Sequence, residues 1–122
     1  MSEQDALIRA GADYALAAIR GLILINGAAA IALLAFLGDA ATNSGLPPDK
    51  LRVFGDAMIL FGWGAFLGAL TAGFSYLAQI LFTEKPSWIW CGNAMRFVAI
   101  LTAIGGFALF LVALEKAAQA LT

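Results

Sequence analysis

Few side chains in this sequence can do chemistry, and they stand far apart. Histidine is absent, which removes the usual axial ligand of haem and chlorophyll, a common ligand of catalytic zinc and the usual general base. One cysteine, Cys91, stands beside Trp90. A lone interfacial thiol can be acylated or can bridge two chains, but it builds no metal site, and the simpler expectation is an inert thiol. Ser75 needs a base to act as a nucleophile, and the apolar segment around it carries none. No Asp, Glu, Lys or Arg lies deep in an apolar run, so the groups that proton relays and ion-coupled transport require are missing. These residues predict a protein that is not an enzyme and binds no cofactor or metal.

Asn26 is the strongly polar side chain set well inside the first apolar run. An unpaired amide in hydrocarbon is costly, so Asn26 is expected to hydrogen-bond across helices to Thr71, Ser75, Thr102 or a backbone carbonyl. A sharper reading makes it a polar ring lining a channel in an oligomer. Gln79 and Tyr76, near the end of the second run, read as interfacial.

The elements that must position these residues follow from composition. The chain has 122 residues and is 62% apolar, well above the roughly 45–50% of soluble domains, and its apolar runs lack the polar stripe that a water-facing helix keeps. Charged residues leave three uncharged runs, 21–38, 57–83 and 97–114. A bilayer core about 30 Å thick needs about 20 apolar residues, slightly fewer when flanking side chains snorkel. The middle run, roughly 40 Å at 1.5 Å per residue, must tilt or protrude.

The expected fold is therefore all-α integral membrane, a single domain over 1–122. It has three transmembrane helices (about 18–37, 53–82 and 94–114) preceded by an amphipathic N-terminal helix over 1–20. Ser2 and Asp5 resemble a capping box, and Asp5, Arg9, Asp13 and Arg20 recur with alternating sign on one side of that helix. Gly11 and Gly21 are its bend points. Residues 38–49, with Asn43-Ser44-Gly45 and Pro47-Pro48, read as a polar loop. Arg52 and Asp56 are spaced to pair within the second helix. Pro86 ends that helix, and 83–93 forms a short interfacial loop whose Asn93 caps the third. Arg20, Trp88, Trp90 and Arg96 are the expected membrane-interface anchors.

On a helical wheel the second span sorts its side chains by size. Ile59, Trp63, Phe66, Leu67, Leu70, Phe74, Leu77 and Leu81 form a bulky edge that suits lipid tails. Two small stripes occupy the rest: Gly64, Gly68, Thr71 and Ser75, then Gly62, Ala65, Ala69, Ala72 and Gly73. Helix association in a bilayer depends on close van der Waals contact and interhelical hydrogen bonds, so small stripes mark helix-packing or oligomer interfaces. Two stripes predict two neighbours. Span one, rich in alanine, is one; span three, with Ala99, Thr102, Ala103 and Gly106, is the other.

The net charge of −1, from 7 basic and 8 acidic residues, gathers neither nucleic acid nor anionic lipid over the chain as a whole. The first twenty residues carry Glu3, Asp5 and Asp13 rather than a short basic region, so no cleaved signal is expected. Arg9, Arg20, Lys85 and Arg96 fall on the N-terminal side, against Lys50, Arg52 and Lys116 opposite. That slight excess favours a cytoplasmic N-terminus.

The stretch Leu22-Ile23-Leu24-Ile25-Asn26-Gly27-Ala28-Ala29-Ala30-Ile31-Ala32-Leu33-Leu34-Ala35-Phe36-Leu37-Gly38 resembles the first span of small, uncharacterised bacterial inner-membrane proteins with three spans. In size and span number the chain is also similar to holins, departing from them in residues 115–122, which lack a basic cluster. The resemblance implies a multi-pass protein of the bacterial inner membrane. The resemblance carries no function. The two small stripes, Asn26 and the lack of a soluble domain instead point to a protein whose partners are the lipid bilayer and further copies of itself, in an assembly acting as a pore or membrane-disrupting effector. The alternative is an accessory subunit that fills a groove in a larger membrane complex.

Overall fold

The structure, a computed structural model, describes residues 2–43, 45–84 and 86–122, Pro86 by its backbone alone. Ser44, expected in the first turn, and Lys85, counted among the basic residues, lie outside the described residues. Among these, every regular element is helical: α1 (Glu3–Asn43), α2 (Pro48–Glu84), a 3₁₀ turn (Pro86–Trp88) and α3 (Ile89–Ala120). All three α-helices are long and apolar enough to cross a membrane, and helices suit that setting because they satisfy their backbone polar groups internally.

The chain runs up, down and up, with α2 in the middle. α3 lies along α2 from one end to the other, α1 follows α2 over a shorter stretch, and α1 and α3 meet only briefly. Side-chain pairs mark the register. Phe36 of α1 packs edge-on against Phe54 of α2, ring centroids 5.1 Å apart, and Phe61 of α2 meets Phe110 of α3 at 5.5 Å. Lys116 reaches Asp56 at 3.9 Å near the far end of the α2–α3 pair.

The N-terminal amphipathic helix is not a separate element. Residues 3–20 are the first turns of a single 41-residue α1, about 62 Å long. Neither Gly11 nor Gly21 divides it, because an isolated glycine costs only about 1 kcal/mol against alanine and no proline or turn residue adds to it. Ser2 and Asp5 do form the capping arrangement. The Ser2 hydroxyl accepts from the Asp5 N–H at 3.2 Å, and the Asp5 carboxylate accepts from the Ser2 N–H at 3.2 Å and from the Ser2 hydroxyl at 2.8 Å.

The polar loop is shorter than 38–49. α1 continues through Gly38 to Asn43, where local bonds hold its last turn: the Asn43 amide donates to the Asp39 carboxylate at 2.9 Å, and the Thr42 hydroxyl to the Asp39 carbonyl at 3.0 Å. The chain then turns through Gly45, whose φ of +64° favours glycine. Pro47 accepts the N–H groups of Lys50 and Leu51, and Pro48, lacking an N–H of its own, opens α2.

The second connection is also tighter than 83–93. α2 ends at Glu84 and α3 begins at Ile89, so Asn93 sits inside the helix; the residue at the cap is Trp88, with no side-chain cap bond. Gly92 explains the early start. A Cβ there would stand 2.7 Å from Cε1 of Phe82, so the ring lies directly on the α3 backbone and draws the two helices together at once. Asp56, expected to pair with Arg52 along α2, pairs instead with Lys116 across the helix interface, the one ion pair among the described residues.

The buried interior is small and built largely of alanine: Ala40, Ala57, Ala78, Ala99, Ala113 and Ala120 join Leu22, Phe54 and Phe61. Most large apolar side chains point outward, among them Leu24, Ile31, Ile104 and Leu111 at 60–70% exposure. A water-soluble monomer rarely leaves such extensive apolar surface uncovered. In a bilayer, lipid tails solvate it at no cost.

Candidate functional site

The closest approach of the three helices lies around Leu22 and Asn26, the largest fully buried side chains. Three glycines make room for them. A Cβ at Gly68 would stand 2.7 Å from Cγ1 of Ile23, one at Gly64 would fall 2.5 Å from Cγ of Asn26, and one at Gly106 would stand 2.8 Å from Cδ2 of Leu22 and 3.3 Å from the Gly64 carbonyl. α1 thus rests on α2 at Gly64 and Gly68, and Leu22 wedges between α2 and α3 at Gly106. The first small stripe serves both neighbours at one level.

The Asn26 amide donates to the Leu22 carbonyl of its own helix at 3.0 Å, not across to Thr71, Ser75 or Thr102. Its oxygen, fully buried, accepts no conventional hydrogen bond. The direction in which a Gly64 side chain would leave the backbone is that of a glycine Cα–H, and the Asn26 oxygen stands in that path. A weak Cα–H···O contact is the interaction left to it.

One helical turn away, the Thr71 and Thr102 hydroxyls lie 2.8 Å apart. Thr71 also reaches the Leu67 carbonyl and Thr102 the Ala99 carbonyl, each at 2.8 Å. Two hydroxyl protons are shared among those two carbonyls and the opposing oxygen, which links α2 to α3 by a polar bond inside the apolar pair.

Beyond this point α1 leaves the bundle. Its residues 3–18 are exposed, Ala10 half-buried excepted, with Leu7, Ile8 and Tyr14 at 64–78%. The divergence opens a groove of about 330 Å³ between α1 and α3. Thr71 and Ser75 of α2 form its floor, Ala15, Ala18 and Ile19 its α1 wall, and Arg96 stands at its outer end on α3. Ser75 and Arg96 are exposed; Ala99 is buried and Ala103 half-buried.

The second small stripe is placed differently from the first. Ala65 and Ala72 are half-buried, but Gly62, Ala69 and Gly73 are exposed, and nothing lies within 4 Å of where a Cβ would stand on Gly62 or Gly73. Within one chain the exposed members of this stripe, Gly62, Ala69 and Gly73, face away from the other described helices. The bulky edge divides as well. Ile59, Trp63, Phe66 and Leu77 are exposed, while Leu67, Leu70, Phe74 and Leu81 are half-buried, Leu67 over Gly105 of α3. Size alone did not separate these positions, because α3 approaches α2 from the side where Leu67 lies and closes over part of the edge. Trp88 and Trp90 are exposed near the end of the molecule that carries Arg96, with Cys91 half-buried beside them, whereas Arg20, also exposed, lies deeper, two residues from Leu22.

Long apolar helices, apolar side chains facing outward and small residues facing inward are the make-up of a multi-pass helical membrane protein. No protein-family model, no curated protein and no solved structure matches the chain.

Proposed function

We propose that this chain is a non-enzymatic membrane unit that self-associates through the outer face of α2. The observation that carries the reading is the open stripe of Gly62, Ala69 and Gly73, exposed beside Ile59 and Phe66. Small residues facing lipid forgo van der Waals contact that a second helix would supply. The isologous arrangement, in which the stripe meets its own copy about a two-fold axis, is the simplest closed assembly.

The test is mass in detergent together with crosslinking between single-cysteine variants on this face. The wild-type chain is expected to form a discrete oligomer, and Gly62→Leu with Gly73→Leu to convert it to monomer without unfolding, since added side chains there meet nothing in the single chain. A wild-type monomer at all concentrations overturns the reading. Dye entry into expressing cells then separates a pore from a closed assembly, a pore being the narrower form of the proposal.

A second reading rests on a different observation. Residues 3–18 stand clear of the bundle with Leu7, Ile8, Tyr14 and Leu16 exposed, a face that a larger membrane partner would cover. An accessory subunit of this kind co-purifies with its partner and leaves membrane permeability unchanged.

A further inference from the structure

The groove between α1 and α3 has a direction. Along α3 it runs from Arg96 past Ala99 and Ala103 to Phe107, about 16 Å at 1.5 Å per residue. Its inner end is shut where Leu22 wedges against Gly106, and its outer end widens as α1 departs. The walls are apolar, alanines alternating with Ile19, Leu22, Ile100 and Phe107. Of the polar lining residues, Thr71 is buried and already bonded to Thr102, while Ser75 and Arg96 stand toward the outer end.

Among the described residues, no carboxylate lies within ion-pair distance of Arg96. Asp13 lies at a similar level on α1, but α1 has already diverged there. A guanidinium with no carboxylate partner among the described residues, set at the mouth of an apolar slot, matches an amphiphile with an anionic head and a hydrocarbon tail. Arginine binds phosphate through paired N–H donors, and basic pockets between transmembrane helices hold anionic headgroups. The volume lies within the range of small-molecule sites.

We propose that this groove binds one anionic phospholipid, its phosphate at Arg96 within reach of the Ser75 hydroxyl and one acyl chain against Ala99, Ala103, Phe107 and Leu22. The lipid fills the space that the divergence of α1 leaves, so it acts as a packing element between α1 and α3. The site requires only that the chain sit in a bilayer and is independent of self-association. Arg20 serves as a control, because it is basic and exposed on the neighbouring α1 but does not line the groove.

The test is native mass spectrometry of delipidated protein titrated with phosphatidylglycerol or phosphatidylcholine. One phosphatidylglycerol per chain is expected, retained at least tenfold more tightly than phosphatidylcholine. Arg96→Gln is expected to abolish that preference, Arg20→Gln to leave it intact, and Ala103→Phe, which fills the slot, to remove binding of both lipids. Helical content by circular dichroism verifies each variant's fold. Ser75→Ala, a smaller change, gives a second reading of the same site, with a weaker headgroup preference and unchanged phosphatidylcholine binding. Equal retention of the two lipids, or equal loss for Arg20→Gln and Arg96→Gln, overturns the proposal. Preference unchanged in both Arg96→Gln and Ser75→Ala does so as well.

Discussion

At the scale of single residues, the contact between Asn26 and Gly64 combines two features that usually work against stability. A buried carboxamide oxygen lacks a conventional donor, and a glycine stands inside a helix where alanine is intrinsically better by about 1 kcal/mol. Each follows from the other: the oxygen occupies the volume a Gly64 side chain would need. Gly64→Ala is therefore expected to destabilise the protein by about 1–3 kcal/mol through overpacking, despite its better helix propensity. Asn26→Ala should relieve that clash. In a double-mutant cycle measured by reversible unfolding in mixed micelles, the pair is expected to couple by about 0.5–3 kcal/mol. Additive effects would show that the carboxamide moves aside freely. Sequence alone marked Asn26 as needing a partner, because a polar amide in an apolar run has few cheap solutions. It did not mark that partner as a carbonyl of the same helix, since any helix supplies an acceptor four residues back and spacing cannot say which acceptor wins.

At the scale of elements, α1 divides into two parts that its continuous backbone hides. From Leu22 to Ala40 it carries buried positions against the rest of the bundle, and over residues 3–18 it carries none. Opening free energy follows tertiary contact, so the exposed half is expected to exchange its amide hydrogens orders of magnitude faster than the packed half in detergent. Hydrogen exchange read by mass spectrometry resolves the boundary, which should fall between Ala18 and Leu22. Uniform protection along α1 would mean that the first turns are held by contacts the single chain does not provide. The three spans were legible because twenty or so apolar residues without charge have one economical fate. Their ends were not, because Gly38, Gly11 and the polar residues 39–43 read as breaks while each weakens a long helix by only a small increment. Asp56 went the same way: spacing favoured Arg52, but Lys116 lies opposite once α3 runs the length of α2. The open groove had no signature in the sequence, since it arises from the divergence of two helices whose alanines look alike.

At the scale of the whole molecule, the register of the helices sets how the protein meets a bilayer. Leu22 and Ile23 lie at Gly68, Asn26 at Gly64 and Phe36 at Phe54, while Thr102 lies at Thr71, Phe110 at Phe61 and Lys116 at Asp56. By this pairing the uncharged run of α1 sits beside residues 52–69 of α2, and that of α3 beside about 58–75. All three helices are free of charge together only over residues 58–69 of α2, about 18 Å at 1.5 Å per residue, against a hydrocarbon core of about 30 Å. Arg20 causes most of the shortfall, lying about 9 Å deeper than Arg96 by the same rise. Its long side chain can reach toward the headgroups, and a thinner bilayer would relieve the rest at a modest cost for each ångström of mismatch. The protein is therefore expected to be most stable in short-chain phosphatidylcholine bilayers and to lose stability steadily as chains lengthen. Arg20→Leu should move the optimum to thicker membranes, whereas Arg9→Leu, outside the common zone, should leave it in place. Stability that peaks in long-chain lipid for the wild-type protein, with no response to Arg20→Leu, would show that the helices slide past this register when lipid surrounds them.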